Sequence, residues 1–373
     1  MMIFLDNAAT TPVLEEVWQD LAKHRSLLFA NPSSTHPLGI KVKKHIANLE
    51  KDLLNYLGGQ RYEIIWTSGG TEANNLAITN LKALANTNKH VVTMNGVHPC
   101  VIKPIEALKK QGHEISYIQT SAQEFVQPKQ VEKVIKPDTA LIALTYVQNE
   151  IGAILKLQEI VQIVRNHAPN CHIHIDGVQA LGKIPFVLDE LDVDSIAFSG
   201  HKFHAPGGIG TLICKNKQAF LPMFLGGGQQ QDIRSGSMDA FGIHAFCTAA
   251  LLHTEEKRTH LKKLNQILKE ELSQIQAEIR YITPKDAAPH ITMISLPNHE
   301  AAVLMRFLGA EEIMVSNGSA CSAQTKQANP FLTSMGYSEK QAYGALRISF
   351  GLQNQEYEIR QFVKTLKQTL EIY

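Results

Sequence analysis

The sequence is short of several things, and each shortage closes a class of function. Cysteine is scarce: the five, at positions 100, 171, 214, 247 and 321, are odd in number, widely spaced and without a CxxC pair. Neither a disulfide framework nor a structural zinc site fits, and a reducing compartment is the default. Excess charge of either sign is missing as well. Thirty-six Lys plus Arg face 35 Asp plus Glu, a formal charge of +1, which favours no polyanionic partner, neither nucleic acid nor an anionic membrane. No segment approaches the ~18 uninterrupted apolar residues of a membrane helix, and Asp6 directly follows the short apolar run Ile3-Phe4-Leu5. The expected location is cytoplasmic. There is no internal repeat, no low-complexity tract, and no P-loop, GxGxxG or HExxH motif.

What is present points to an α/β protein. The 373 residues, 44% hydrophobic, suffice for a large core and about two or three domains. Apolar runs of strand length (63–66, 90–93, 140–144, 172–175 and 195–198) alternate with patterned stretches such as 40–57 and 101–110, which predict helices covering both faces of a mostly parallel sheet. Each run ends in a chemically loaded turn: Ser68-Gly69-Gly70-Thr71, Asn149-Glu150, Asp176, and Ser199-Gly200-His201-Lys202. Open α/β sheets bind ligands beyond the carboxyl ends of their strands, so these turns predict one shared pocket. From about Leu251 the texture changes to a charged amphipathic helical stretch, 251–279, then a strand-like run, 291–296, and a helix near 301–308. A smaller α+β domain is expected there, formed by 1–12 and 255–373 around a large domain of 13–254.

Each loaded segment has a functional and a bland reading. Backbone N–H groups at the helix start after Gly70 suit an anion such as a phosphate, or else Thr71 is an ordinary N-cap. Asp176 at the end of an apolar strand wants a cation, such as a cofactor's ring nitrogen, or else caps the next turn. Lys202 in a cramped turn suits Schiff-base chemistry if its pKa is lowered, or else snorkels to water. Arg347, alone in the apolar run 345–351, suits a substrate carboxylate bound bidentately or a structural salt bridge. Cys321 lies among small residues, Ser316 to Ala323, either a mobile reactive thiol or a passive one. Residues 322–329 could extend roughly 26–29 Å, enough to carry a sulfur to an outside acceptor. The other cysteines read as packing residues. His172-x-His174-x-Asp176 puts three potential metal ligands on one strand face and makes a metal hydrolase the rival chemistry. No second His/carboxylate set is evident, and no metal is expected.

Taken together, these segments resemble the cysteine desulfurase family of class V, fold-type I pyridoxal-phosphate enzymes. The likeness runs in order through Leu5-Asp6-Asn7-Ala8-Ala9-Thr10-Thr11-Pro12, Asn31-Pro32-Ser33-Ser34, Thr67-Ser68-Gly69-Gly70-Thr71-Glu72, Asn149-Glu150-Ile151-Gly152, Asp176-Gly177-Val178-Gln179, Ser199-Gly200-His201-Lys202, Arg234-Ser235-Gly236-Ser237 and Gly318-Ser319-Ala320-Cys321. The resemblance implies pyridoxal 5'-phosphate carried on Lys202 as a Schiff base. Asp176 would pair with its ring nitrogen, and Gln179 and Asn149 would bond its ring oxygen or the substrate. His98 would stack on the ring and could move protons. Gly70, Thr71, Ser199 and His201 would hold the phosphate, with Ser237 reaching across from a second subunit of a homodimer. Asn31 and Arg347 would hold the carboxylate of L-cysteine, and Cys321 would take the sulfur as a persulfide, releasing alanine. A sulfur-acceptor protein or thiol would follow, in iron–sulfur cluster assembly or thiolation.

Departures from the family pattern are Leu225-Gly226-Gly227-Gly228-Gln229-Gln230-Gln231-Asp232, where an acid-base pair is usual, and His204 and Gly207 in place of Tyr and Lys. The end of the chain at Tyr373 lacks the longer tail that engages a scaffold protein in housekeeping members. The long cysteine loop resembles the branch serving protein acceptors. The alternatives are a related lyase or aminotransferase, such as a selenocysteine lyase, and a family-shaped partner protein of low activity.

Overall fold

The computed structural model describes residues 2–86, 88–122, 124–318 and 328–373. Strand β1 (Ile3–Phe4) opens the chain. The apolar runs then form a seven-stranded sheet from β2 (Glu63–Thr67), β3 (His90–Met94), β4 (Glu114–Ile118), β5 (Thr139–Thr145), β6 (His172–Asp176), β7 (Ser195–Ser199) and β8 (Gly210–Cys214), ordered β2-β8-β7-β6-β5-β3-β4. Only β8 runs against its neighbours; β2 pairs antiparallel with it and therefore points the same way as the remaining strands. That orientation matters for function: the carboxyl ends of β2, β3, β5, β6 and β7, and the turns that follow them, emerge on one edge. In register, Thr145 lies beside Asp176 and Asp176 beside Ala197.

Strands β3, β7 and β8 are buried along their whole length, as expected where helices cover both faces. Helices Pro37–Leu57, Gly70–Thr79, Pro99–Lys110 and Ala240–Leu251 are among those that do so. Gly210 is needed for close approach: a Cβ there would sit 2.5 Å from the Cα of Gly69, so β8 can lie against the turn after β2 only without a side chain.

Strands β9 (Arg280–Tyr281), β10 (Ile291–Ser295) and β12 (Ala345–Ser349) make an antiparallel sheet ordered β12-β10-β9, while β1 pairs in parallel with β11 (Ile313–Met314). A second apolar core gathers Ile3 and Leu5 with Leu261, Leu264, Leu346, Ile348, Phe362 and Leu366. The first core runs from Val17 to Ala250 and also takes in Met293, Leu332 and Ala345. The helical stretch expected over 251–279 is not continuous. One helix ends at Leu251 and another, Glu255–Leu272, begins after Thr254, whose hydroxyl accepts from Lys257 N (3.4 Å). The break is fixed by His253, whose buried ring nitrogens meet the carbonyls of Gly182 and Phe203 at 3.1 Å each. Among the described residues no helix is long and apolar enough to cross a membrane.

Candidate active site

At the edge where the strand ends converge lies a cavity of about 860 Å³, lined by residues of both cores' segments. Lys202 reaches it from a single 3₁₀ turn, Gly200–Lys202, directly after β7. Its Nζ donates to the carbonyls of Ala8 (2.9 Å) and Ala9 (2.6 Å). The first segment of the chain is in turn fastened to this turn: Thr11 donates through N (2.8 Å) and Oγ1 (3.0 Å) to His201 O. Burial, reinforced by the nearby Arg347 cation, lowers the Lys202 amine to about 8. The neutral, nucleophilic form is therefore within reach near neutral pH.

Asp176 ends β6 and is buried. Burial pushes its carboxyl up, opposed in part by the N–H of Val178 (3.1 Å) and by His98. A carboxylate so placed is stabilised by a cation brought alongside it. His98 caps the helix Pro99–Lys110 after β3: its Nδ1 accepts from Cys100 N (3.2 Å), so the neutral ring carries its proton on Nε2. Burial lowers its pKa, and the same burial raises the adjacent Cys100 thiol to about 12, making it an inert wall.

The helix Gly70–Thr79 begins at the cavity, with Thr71, Ser199 and His201 in the lining. His201 is held near pH 4 by burial and by Lys202, and its Nδ1 meets Thr10 Oγ1 at 3.1 Å. Unpaired helix N–H groups, two hydroxyls and a neutral imidazole form a donor set matched to a phosphate. Gln179 lines the same cavity but is already engaged, donating to Ala8 O (2.8 Å) and accepting from His290 (3.2 Å). The donor set, the cation-seeking Asp176 and the lowered Lys202 amine fit the phosphate, ring nitrogen and aldehyde of pyridoxal phosphate.

Arg347, on β12, is buried. It donates through Nη1 to Asn149 O (2.9 Å) and Gly318 O (3.0 Å) and through Nη2 to Asp6 Oδ1 (2.7 Å), while its Nε has no partner among the described residues. The ion pair with Asp6 and the place in the cavity wall are thus both present. Asn31 and Ser237 are exposed and lie outside the lining, Asn31 accepting from Ser33 N (2.9 Å). Cys321 falls outside the described residues, but Gly318 and Asn329, on either side of its segment, both line the cavity. His172 and His174 do not reach it. They share Ser195 Oγ (2.8 and 2.9 Å), His174 also meets Asn74 Oδ1 (2.8 Å), and burial lowers them to about 4 and 3.

Sequence reasoning assigned no role to Asp6, Glu72 and Glu150. Glu72 accepts from Ser68 N (2.8 Å) and pairs with Arg234 Nε (2.8 Å), tying the phosphate-type turn to the Arg-Ser-Gly turn. Glu150, raised by burial, accepts from Asn329 (2.6 Å). Each sits inside a motif already quoted, and that position was the available signal.

The family model described as "Aminotransferase class-V" matches residues 3–362. Over 374 residues the chain is 31% identical to the protein named cysteine desulfurase IscS of Dictyoglomus turgidum, covering 99% of this chain and 94% of that one. It is 32% identical over 375 residues to the protein of the same name from Methanosarcina thermophila, covering 99% and 92%. A solved structure described as a NifS-like protein matches with a TM-score of 0.92 at 29% identity over the whole of both chains.

Proposed function

Because the chain belongs to the aminotransferase class-V family, we propose that it is a pyridoxal-phosphate-dependent cysteine desulfurase, converting L-cysteine to L-alanine and leaving the sulfur on Cys321 as a persulfide. The observation that carries this reading is the Lys202 amine, lowered to about 8, in one cavity with Asp176, His98 and the helix start at Gly70. Bound there, pyridoxal phosphate supplies an electron sink for the pair released at the substrate Cα.

The chain's own groups do the rest. Lys202 would hold the cofactor's aldehyde through Nζ, and the same amine, when free, would take the Cα proton and later return one. Asp176 would keep a proton on the cofactor's ring nitrogen by charge. His98, with its proton on Nε2, would lie against the cofactor ring. Thr71, Ser199, His201 and the N–H groups after Gly70 bind the phosphate, and Gln179 and Asn149 orient the ring or the substrate. Arg347 turns its guanidinium to the substrate carboxylate. The Cys321 thiolate forms an S–S bond as the substrate's C–S bond breaks; the carbon keeps the bonding pair, is protonated, and leaves as alanine.

Several finer parts belong to the same reading. The exposed position of Ser237, away from this cavity, supports a homodimer in which it reaches the second chain's phosphate, and Asn31 holds the substrate carboxylate with Arg347. The second core, drawn from Ile3, Leu5 and residues between Leu261 and Leu366, supports a small unit of 1–12 and 255–373 beside a large unit of 13–254, although Met293, Leu332 and Ala345 of the small unit pack into the first core. The persulfide passes to an acceptor protein or thiol, for iron–sulfur cluster assembly or thiolation, in the cytoplasm.

The test is incubation of the purified holoenzyme with L-cysteine, measuring alanine and protein-bound persulfide. Wild type forms both; Cys321→Ala loses the persulfide; Lys202→Ala retains substrate without turnover. Undiminished sulfide release by Cys321→Ala would instead make the protein a lyase that does not pass sulfur through that thiol.

A further inference from the structure

Away from the cavity, three helices bring together titratable side chains for which the proposed reaction has no use. Asp20 and His24 stand four residues apart on one face of helix Glu15–Leu28, and His244 projects from helix Ala240–Leu251. One ligand atom from each lies within 4.8 Å of the others. Asp20 Oδ2 meets His244 Nε2 at 2.8 Å, and Asp20 Oδ1 lies 3.5 Å from His24 Nδ1. On the third helix, Pro37–Leu57, His45 Nε2 meets His244 Nδ1 at 2.8 Å. All three imidazoles are gathered, with ring centroids 4.6 to 5.5 Å apart.

We propose that Asp20, His24 and His244 form a binding site for a divalent transition ion of the zinc class, with His45 as the partner that orients His244. Two imidazoles and one carboxylate are a usual zinc donor set, leaving a fourth position for water. Zinc–ligand bonds of about 2.0–2.1 Å put tetrahedral ligands roughly 3.3 Å apart. The 3.5 Å Asp20–His24 separation already matches, the 2.8 Å Asp20–His244 contact opens by about half an ångström, and the His24 and His244 ligand atoms, within 4.8 Å of each other, are drawn together by the ion. Entry of the ion moves the His244 proton from Nε2 to Nδ1 and the His45 proton from Nε2 to Nδ1, so that His45 Nε2 accepts from His244, while His24 Nδ1, which lies 2.9 Å from the Asp20 carbonyl, is freed as its proton passes to Nε2; every ring stays neutral. Thr248 donates to Asp20 Oδ2 (2.9 Å) and fixes the carboxylate. The side chains of Asp20 and His24 are 30% and 38% exposed while that of His244 is 3% exposed, so the ion enters from solvent onto a buried ligand. Once seated it staples the first long helix, which follows the segment holding Lys202, to the helices beneath it.

The test uses the pyridoxal-phosphate-loaded protein dialysed against zinc alone, buffered by a chelator, with bound metal counted per chain and the thermal midpoint recorded. Wild type and Cys321→Ala should each hold one ion at this site and show a zinc-dependent rise in midpoint. His24→Ala, partly exposed and checked for folding by its bound cofactor, should lose both, and Asp20→Asn provides a second variant. His45→Ala should bind about 10- to 100-fold more weakly. Absence of bound zinc in wild type, equal binding by wild type, His24→Ala and Asp20→Asn, or loss of the ion in Cys321→Ala would overturn the proposal.

Discussion

Two lysines lie close to the proposed chemistry, and their surroundings separate them. Lys202 has acceptors for its amine in Ala8 and Ala9; Lys183 is buried with no partner for its Nζ among the described residues, and burial lowers it to about 7. An amine that loses its proton on folding destabilises the native state wherever the unfolded chain still binds that proton. The penalty is therefore full and flat below about pH 7 and shrinks by about 1.4 kcal/mol per pH unit between there and the ordinary lysine value of 10.5. Lys183→Met, similar in size and without the charge, should be more stable than wild type by on the order of 3–4 kcal/mol at pH 6.5, and by much less at pH 9.5. Urea unfolding at the two pH values checks this. An equal gain at both would mean that Lys183 keeps its proton in the fold.

Among the elements, the edge strand β2 carries the most instructive contact. Gln230 uses its side-chain amide like a peptide unit, accepting from Trp66 N (2.6 Å) and donating to Trp66 O (2.9 Å). It thereby satisfies one residue of an edge that would otherwise present free backbone groups. The departure from the family pattern at 229–232 is thus built into the wall beside the phosphate-type turn. It holds although Gln230, Gln231 and Asp232 all have positive φ, at 51°, 58° and 63°. Gln230→Ala strands those backbone groups and should lower stability by about 1–3 kcal/mol, whereas the exposed Gln231→Ala should stay within about 0.5 kcal/mol of wild type. Denaturant midpoints of the two variants decide it; equal midpoints would deny the amide clamp.

Elements were also the most legible scale in the sequence. The strands ending at Thr67, Asp176 and Ser199 announced themselves by apolar runs followed by loaded turns, and with them came Gly70, Asp176 and Lys202. Strand β8 did not, because an antiparallel strand inserted beside β7 breaks the parallel rhythm. Nor did the break at His253, where a tertiary contact, rather than local propensity, ends one helix and starts the next. The pairing of Asp6 with Arg347 and the meeting of Asp20 with His244 join residues more than two hundred positions apart, which no local pattern reports.

Across the whole molecule, the start of the chain is the link between the two cores. Ile3 and Leu5 enter the second core, while Ala8, Ala9 and Thr11 bond the turn that carries Lys202. Asn7 stands between them, 1% exposed, its Nδ2 sharing two N–H donors among Phe4 O (3.1 Å), Ser349 O (3.0 Å) and Asn354 Oδ1 (3.1 Å). His204 adds a second tie, donating from Nδ1 to Pro12 O (2.9 Å) and accepting from Leu352 N (3.1 Å), with burial lowering it to about 2. Asn7→Ala should lower stability by about 2–3 kcal/mol and quicken cofactor loss, since it frees the segment that positions Lys202. Unfolding midpoints and the fading of cofactor absorbance on dialysis measure both effects, and loss of stability with unchanged cofactor retention would separate the two roles.

Everything proposed for catalysis depends on which amine carries the cofactor. Reduction of the holoenzyme with borohydride locks the pyridoxyl group onto that amine, and peptide mapping by mass then identifies it. The predicted result is a single modified peptide carrying the group on Lys202. A label on the neighbouring buried Lys183, or no covalent label at all, would contradict it.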